Sequence, residues 1–434
     1  MGLYDFTIYD VITRNARCFT ERPAWLEVSD GREITFGQFK DMVDHLAKGL
    51  QDVGLKKGDR IGILGKNSLE YFLLYGAASA LGLIVIAINW RLSADEAANN
   101  LADGTPRLVF ADPEFQELIQ GLKDKLTTVE KYYNLSGKEG SFEDFSQLFD
   151  NNADFIPEEV ATDDSAVIIH TAAVEGKPRG ALVTHRNILS ATTQFAHVFK
   201  IYNHVGGLFI AMTAFHAGAL NINVSRFDAD QSVDLIQEKK ITMLFDFAPI
   251  LASILDSKEK SGKDISSLRV VYGQTEVSAL VTISPYNEKP GSAGRPLPLA
   301  DVRLFDDYDK EVETGQVGEI VVRGPMVFKG YWNLPEETSH TFREGWHHTG
   351  DQGRFDEEGF LWYAGRKAEK ELIKPGGENV YPAEVEKVIL QHPAVERTVV
   401  FGVPDPKWKE GIKAVCELKE GQSLEPQKLI DFVG

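Results

Sequence analysis

The chain has 434 residues, 43% hydrophobic and 26% charged, with 46 basic side chains against 65 acidic ones and a formal charge of −19. This is the composition of a folded protein of two or three domains, and its acidity argues against a surface built for nucleic-acid phosphates while leaving room for one basic pocket. Cys18 and Cys416 are the only cysteines; they are too few and too far apart for a disulfide framework or a zinc site, so a cytoplasmic location is expected.

In chain order, the first residues lack the basic end and apolar run of a signal peptide. Arg60 to Leu64 reads as a strand, Ser68 to Leu81 as a helix with Asn67 and Ser68 as caps, and Leu83 to Ile88 as a strand. The nearly uncharged stretch from Phe72 to Ile88 is broken by Gly82 and is short for a membrane span, so it is expected to be buried in a soluble core. This β-α-β order predicts a parallel sheet covered by helices. Ala166 to His170 predicts another strand, followed by a loop and a helix over Arg186 to Phe199. Beyond the turn-rich Pro290 to Pro296, short segments such as Val302 to Phe305 and Glu319 to Arg323 predict a β-rich subdomain. Near the end, Pro382 opens a helix through Leu390, and Val395 to Val403 predicts a strand.

Four segments carry chemistry. His170 to His185 runs from a strand into a loop where Gly176, Lys177, Arg179 and Gly180 let the backbone approach a polyphosphate and neutralise it. It is not a P-loop, because Pro178 stands where Ser or Thr would bind magnesium; taken alone, the pattern fits a solvated surface hairpin equally well. Tyr272-Gly273-Gln274-Thr275-Glu276 places a hydroxyl beside a carboxylate, a pair able to hold an α-phosphate and a magnesium ion. Glu344 to Asp351 ends in a carboxylate, which can accept hydrogen bonds from two hydroxyls at once. Adjacent His347 and His348 point to opposite faces of a strand, which argues against a shared metal. Lys370 to Glu384 carries the pair Gly376-Gly377.

Together these segments resemble the adenylate-forming superfamily of acyl-CoA synthetases, luciferases and nonribosomal peptide adenylation domains. Gly176-Lys177-Pro178-Arg179-Gly180 with Thr184-His185 is similar to its phosphate signature, although Ala172, Ala173, Val174 and Glu175 replace the usual hydroxyl and glycine residues. The resemblance implies nucleotide contacts at Thr171, Gly176, Gly180, Tyr272, Gly273, Gln274, Asp351 and Arg366. It implies catalytic roles for Lys177, Arg179, Thr275, magnesium-binding Glu276 and, at the acid pocket, His204, with His216 fitting that place less well. It further implies a hinge at Lys370, with Lys367-Ala368 as extra residues, and a CoA tunnel at Gly376 and Gly377.

The implied fold is α/β. A large domain of parallel and mixed sheets with helices spans residues 1–366, its β-rich subdomain from about 290 to 366, and a small mobile α+β cap spans 367–434. The implied activity is ligation of an apolar fatty or aryl acid to CoA through an acyl-AMP, using ATP and Mg2+. The alternatives are delivery to a carrier protein and a non-catalytic nucleotide-binding homologue. The partners are small molecules, with neither nucleic acid nor an integral membrane segment, and a homodimer is allowed for. Three departures stand out: a short interval from Asn187 to His204, a direct step from Val271 into Tyr272, and an end at Gly434 before the lysine that the family carries near its C-terminus. A doubly wound core does not survive loss of a central strand, so the native protein is expected to be longer than these 434 residues and the cap incomplete.

Overall fold

A computed structural model describes the chain except at residues 1–5, 136–139, 172–178, 200–202, 206–207, 225–226, 242, 245–247, 266–268, 273, 279–280, 286–287, 290, 367–372, 374–379, 381, 406–408, 420–421 and 434; at some positions, among them 203–205, 269–272 and 366, it describes the backbone alone. The first part runs α1 (Ile8–Cys18), β1 (Pro23–Glu27), β2 (Glu33–Thr35), α2 (Phe36–Asp52), β3 (Arg60–Leu64), α3 (Leu69–Leu81), β4 (Ile84–Ile88), α4 (Ala94–Gly104), β5 (Leu108–Ala111), α5 (Gln116–Gly121), β6 (Lys131–Asn134) and β7 (Glu143–Asp144). Next come β8 (Ser165–Thr171), β9 (Arg179–Thr184), α6 (His185–Phe199), β10 (Asn203–Val205), α7 (Leu208–Ala217), β11 (Leu220–Asn223), α8 (Ala229–Lys239), β12 (Met243–Leu244) and α9 (Ala248–Ser261). Then follow β13 (Arg269–Tyr272), β14 (Thr282–Pro285), β15 (Arg295–Pro296), β16 (Asp301–Phe305), β17 (Gly318–Arg323), β18 (Gly330–Tyr331), α10 (Pro335–Thr341), β19 (Phe342–Arg343), β20 (Trp346–Phe355) and β21 (Leu361–Arg366). The last unit is α11 (Pro382–Ile389), β22 (Val395–Asp405), β23 (Lys409–Leu418) and α12 (Pro426–Val433).

Two sheets of the first part lie against shared helices. The larger has the order β18-β9-β8-β4-β3-β5-β6-β7, and the second the order β12-β10-β11-β1-β2. β3, β4, β5 and β8 run parallel. Their continuous apolar runs, Ile61 and Ile63 on β3 and Val85 and Ile86 on β4, are fully buried, as a sheet covered on both faces requires. Helix α3 is buried nearly all round, which marks a core helix. Ser68 caps it by accepting from the Tyr71 amide, and Gly82 ends it at φ 64°, a left-handed geometry that a side chain disfavours. The segment from Phe72 to Ile88 is therefore a core helix and strand. Among the described residues no helix is long and apolar enough to cross a membrane.

The later part is β-rich, as expected for short strands separated by Gly and Asp, and its strands pair antiparallel. β16, β17, β20 and β19 pair in that order, and β21 pairs with β20. In the last unit, β22 and β23 form a long hairpin against which α11 packs, with Pro382 at the first helical position. The fold is thus α/β with parallel and mixed sheets.

Candidate active site

Antiparallel pairing of β8 and β9 brings together the residues that flank 172–178, with Thr171 paired to Arg179 and His170 to Gly180. The outer neighbour of β9 is β18, whose Tyr331 pairs with Ala181. Here Gly180 is required by space. The Trp332 amide donates to its carbonyl at 2.6 Å, and a Cβ at Gly180 would lie 2.7 Å from Ile168 Cγ2 and 3.3 Å from Trp332 Cβ. Gly180→Ala is expected to destabilise the protein by about 1–3 kcal/mol through overpacking. Thermal denaturation reads this directly, and an unchanged midpoint would contradict it.

Because β18 sits beside β9, the Arg179 guanidinium lies 4.6 Å over the ring of Tyr331, a cation–π contact. Tyr331 in turn donates its hydroxyl hydrogen to Glu276 Oε1 at 3.2 Å, a buried bond. Burial first, and then the nearby Glu276 charge, push the Tyr331 phenol well above its ordinary value, so it stays a neutral donor. Glu276 is 8% exposed and sits in a short 3₁₀ turn, Thr275–Val277, whose carbonyl at Glu276 accepts the Phe328 amide. Arg179 Nε is buried without a hydrogen-bond partner among the described residues. A cation with unused donors at the end of the loop and a buried carboxylate held by one oxygen fit an anion bridged by a hard cation.

A second cluster adjoins the first through the backbone of Gln274-Thr275-Glu276. Gln274 Nε2 lies 3.5 Å from Asp351 Oδ2, and Gln274 Oε1 lies 3.5 Å from His347 Nε2. Asp351 is buried and pairs in register with Arg366 across β20 and β21. Phe328 joins the clusters, its ring centroid 4.9 Å from that of Tyr331 and 5.5 Å from that of His347. The neighbouring His348 faces the other way. Its Nδ1 lies 3.1 Å from Glu319 Oε2 and 2.6 Å from an Arg343 nitrogen, while Glu319 Oε1 accepts the Gly350 amide at 2.9 Å. The two imidazoles thus serve different environments.

The model for AMP-binding enzymes matches residues 12–271 and 268–332, and that for the AMP-binding enzyme C-terminal domain matches 384–434. The chain is an AMP-binding enzyme. It belongs to the adenylate-forming superfamily. Among similar proteins, the indoleacetate–CoA ligase of Aromatoleum aromaticum is 31% identical, over 93% of this chain and 86% of its own. The fatty acid–[acyl-carrier-protein] ligase ScoC of Streptomyces coeruleorubidus is 30% identical, over 93% and 85%. Among solved structures, the o-succinylbenzoate CoA synthetase MenE of Bacillus subtilis superimposes with a TM-score of 0.80 at 26% identity, covering 99% of this chain and 92% of that one. The two stretches matched by the AMP-binding model meet at residues 268–271, the place where the sequence steps directly into Tyr272.

In this AMP-binding enzyme, Thr171, Arg179, Gly180, Gln274, Thr275, Glu276 and Asp351 fall into the two adjoining clusters or their supporting strands. His204 and Tyr272 are described by backbone alone, on β10 and β13, and Arg366 by backbone alone on β21. Gly176, Lys177, Gly273, Lys370, Gly376 and Gly377 lie outside the described residues. Tyr331 and Phe328, which the motif reading passed over, and His347, which it weighed only as a metal ligand, join these clusters. The only local signal was an aromatic following Gly330 in a short β segment.

Thr184 and His185 hold the site from behind. Asn187 Oδ1 accepts from the Thr184 amide and hydroxyl, and its Nδ2 donates to the carbonyls of Pro325 and Val327, anchoring the segment that leads to Tyr331. His185 Nδ1 accepts the Ile8 amide, and burial pushes this imidazole down to about 4. His216 lies 2.9 Å from the Thr192 hydroxyl and is also pushed down to about 4, by burial and then by Arg14. Both are neutral in the fold yet protonate near their ordinary value once unfolded. Their contribution is therefore complete above about pH 6.5 and is lost as pH falls toward 4, roughly 3 kcal/mol between pH 7 and 5 for the pair. Denaturant titrations at the two pH values are expected to show this loss, and to show less of it in His216→Gln. Equal stability at both values would contradict it.

Proposed function

We propose that this AMP-binding enzyme is an AMP-forming acid–thiol ligase that joins an apolar carboxylic acid to CoA. The observation that carries the reading is the convergence of Arg179, Tyr331 and Glu276 next to Gln274 and Asp351, a cation and a buried carboxylate beside a second carboxylate. Arg179, with Lys177 on the adjoining loop, would screen the charge between an incoming carboxylate and the α-phosphate of ATP. Thr275 would donate to that phosphate, and Asp351 would accept from the ribose hydroxyls. When bound at Glu276, Mg2+ supplies charge neutralisation of the phosphate oxygens. Tyr331 holds one oxygen of the Glu276 carboxylate and leaves the other for that role. Attack by the acid gives acyl-AMP and pyrophosphate, and the thiol then displaces AMP.

We place the domain boundary at residues 366 and 367, with a cap that pivots at Lys370 and presents Gly376 and Gly377 to the thiol. The separate matches to an AMP-binding enzyme and its C-terminal domain support a two-part division. The apolar Leu208 to Ala219 segment supports an aliphatic or aryl acid. Delivery to a carrier-protein thiol is the second reading, favoured by the similarity to ScoC. Incubation of the purified protein with magnesium-ATP, a panel of fatty and aryl acids and CoA is expected to yield AMP and the acyl thioester in equal amounts. Acyl-adenylate that ignores CoA but discharges onto a carrier protein would select the second reading. Absence of acyl transfer to either thiol would overturn the proposal.

A further inference from the structure

A cavity of about 80 Å³ lies between β1, α3, α7 and β11, at the carboxyl ends of parallel β1 and β11 and beside the amino end of α3. That volume is several times the roughly 10–15 Å³ that a water molecule needs, and suits a single ring better than a long alkyl chain. Its wall is aromatic, formed by Trp25, Tyr71, Phe72 and Tyr75, with Trp25 and Phe72 stacked at 5.0 Å between centroids. Its polar floor includes Asn221, which is 2% exposed. The Asn221 Nδ2 donates to the Ala211 carbonyl at 3.4 Å, and its Oδ1 is buried without a partner among the described residues. The neighbouring Asn223 differs, since its amide donates to both Glu27 oxygens and to the Asn67 carbonyl.

A buried acceptor with no donor calls for a ligand that brings one. The place of the cavity says which ligand. Asn221 is paired in register with His204 on β10, and Ala211, which also lines the cavity, lies on α7 within the Leu208 to Ala219 segment assigned above to the acid. We propose that the cavity receives the far end of the acyl group, and that the acid is a single-ring aryl carboxylic acid bearing a hydroxyl or an N–H that donates to Asn221 Oδ1. This rests on the acid–thiol ligase reading and narrows its substrate class.

The test compares kcat/KM for a hydroxyaryl acid and for the same acid without its hydroxyl, by pyrophosphate release, in the parent chain, Asn221→Leu and Ala211→Leu. The parent is expected to prefer the hydroxylated acid by about tenfold or more. That ratio is expected to fall to about one in Asn221→Leu, and Ala211→Leu, which fills the cavity, is expected to raise KM for both aryl acids. A preference that survives both substitutions, or better turnover of unbranched long-chain acids than of any aryl acid, would overturn the proposal. Binding of free phenol and toluene, followed by ligand-observed NMR, separates the two failures. If no acid releases pyrophosphate, the ligase reading has failed; phenol that binds the parent and Asn221→Leu equally removes the cavity's selectivity by itself.

Discussion

Glu276→Gln is expected to lower acid-dependent pyrophosphate release by roughly a hundredfold or more, about 3 kcal/mol of barrier, while leaving the thermal midpoint nearly unchanged. The two halves of that expectation have separate causes. Gln keeps an oxygen that accepts the Tyr331 hydroxyl at the 3.2 Å contact, so the packing of the turn survives. It removes the negative charge, so the affinity for a hard cation goes. Raising magnesium to tens of millimolar should recover part of the rate. Tyr331→Phe gives a milder result by the opposite route, because the charge stays and one of its positioning bonds goes. About a tenfold rise in the magnesium concentration for half-maximal rate is expected there, with a smaller change in kcat. Glu276→Gln at near-parental rate would remove Glu276 from the site.

The second large effect lies behind the cluster of Gln274 and Asp351. Glu319→Leu is expected to destabilise the protein by about 3 kcal/mol, lowering the thermal midpoint by several degrees, and to weaken nucleotide binding as well. Glu319 is 4% exposed on β17. One oxygen takes the Gly350 amide, and the other lies near His348 and 3.6 Å from Arg343, which is itself paired with Asp309. Removing that carboxylate leaves a buried amide unpaired and a guanidinium and an imidazole without their buried anion. The unpaired Gly350 amide directly precedes Asp351 on β20, so a local shift there would move the carboxylate proposed above to accept from the ribose. Glu319→Gln retains an acceptor for Gly350 and should recover about half of the lost stability. A midpoint within one degree of the parent for Glu319→Leu would contradict this account.

The pattern of the chain made some of this legible and hid the rest. Apolar runs such as Arg60–Leu64 and Ile84–Ile88 mark strands because a sheet buried on both faces demands them, and Ser68 and Gly82 mark the ends of the helix between. The His347-His348 alternation followed from strand geometry alone. What stayed hidden depends on pairings across long stretches of chain. Tyr331 meets Glu276 across 55 residues, and Gln274 meets Asp351 across 77. Both contacts require β18 to add to the edge of β9 and β20 to lie beside β17, arrangements that periodicity within a window does not encode. Asn221 was likewise unreadable, since its unpaired oxygen exists only once β11 lies beside β1 and under α3. Arg179 was legible as a cation of the loop, but its seat over Tyr331 was not.

The most direct measurement is exchange of labelled pyrophosphate into ATP by the purified protein with magnesium and a panel of fatty and aryl acids, without CoA. The account predicts exchange that requires both the acid and the metal, that CoA is not needed for, and that Glu276→Gln lowers by roughly a hundredfold or more. Measurable ATP binding with no acid-dependent exchange for any member of the panel would contradict it.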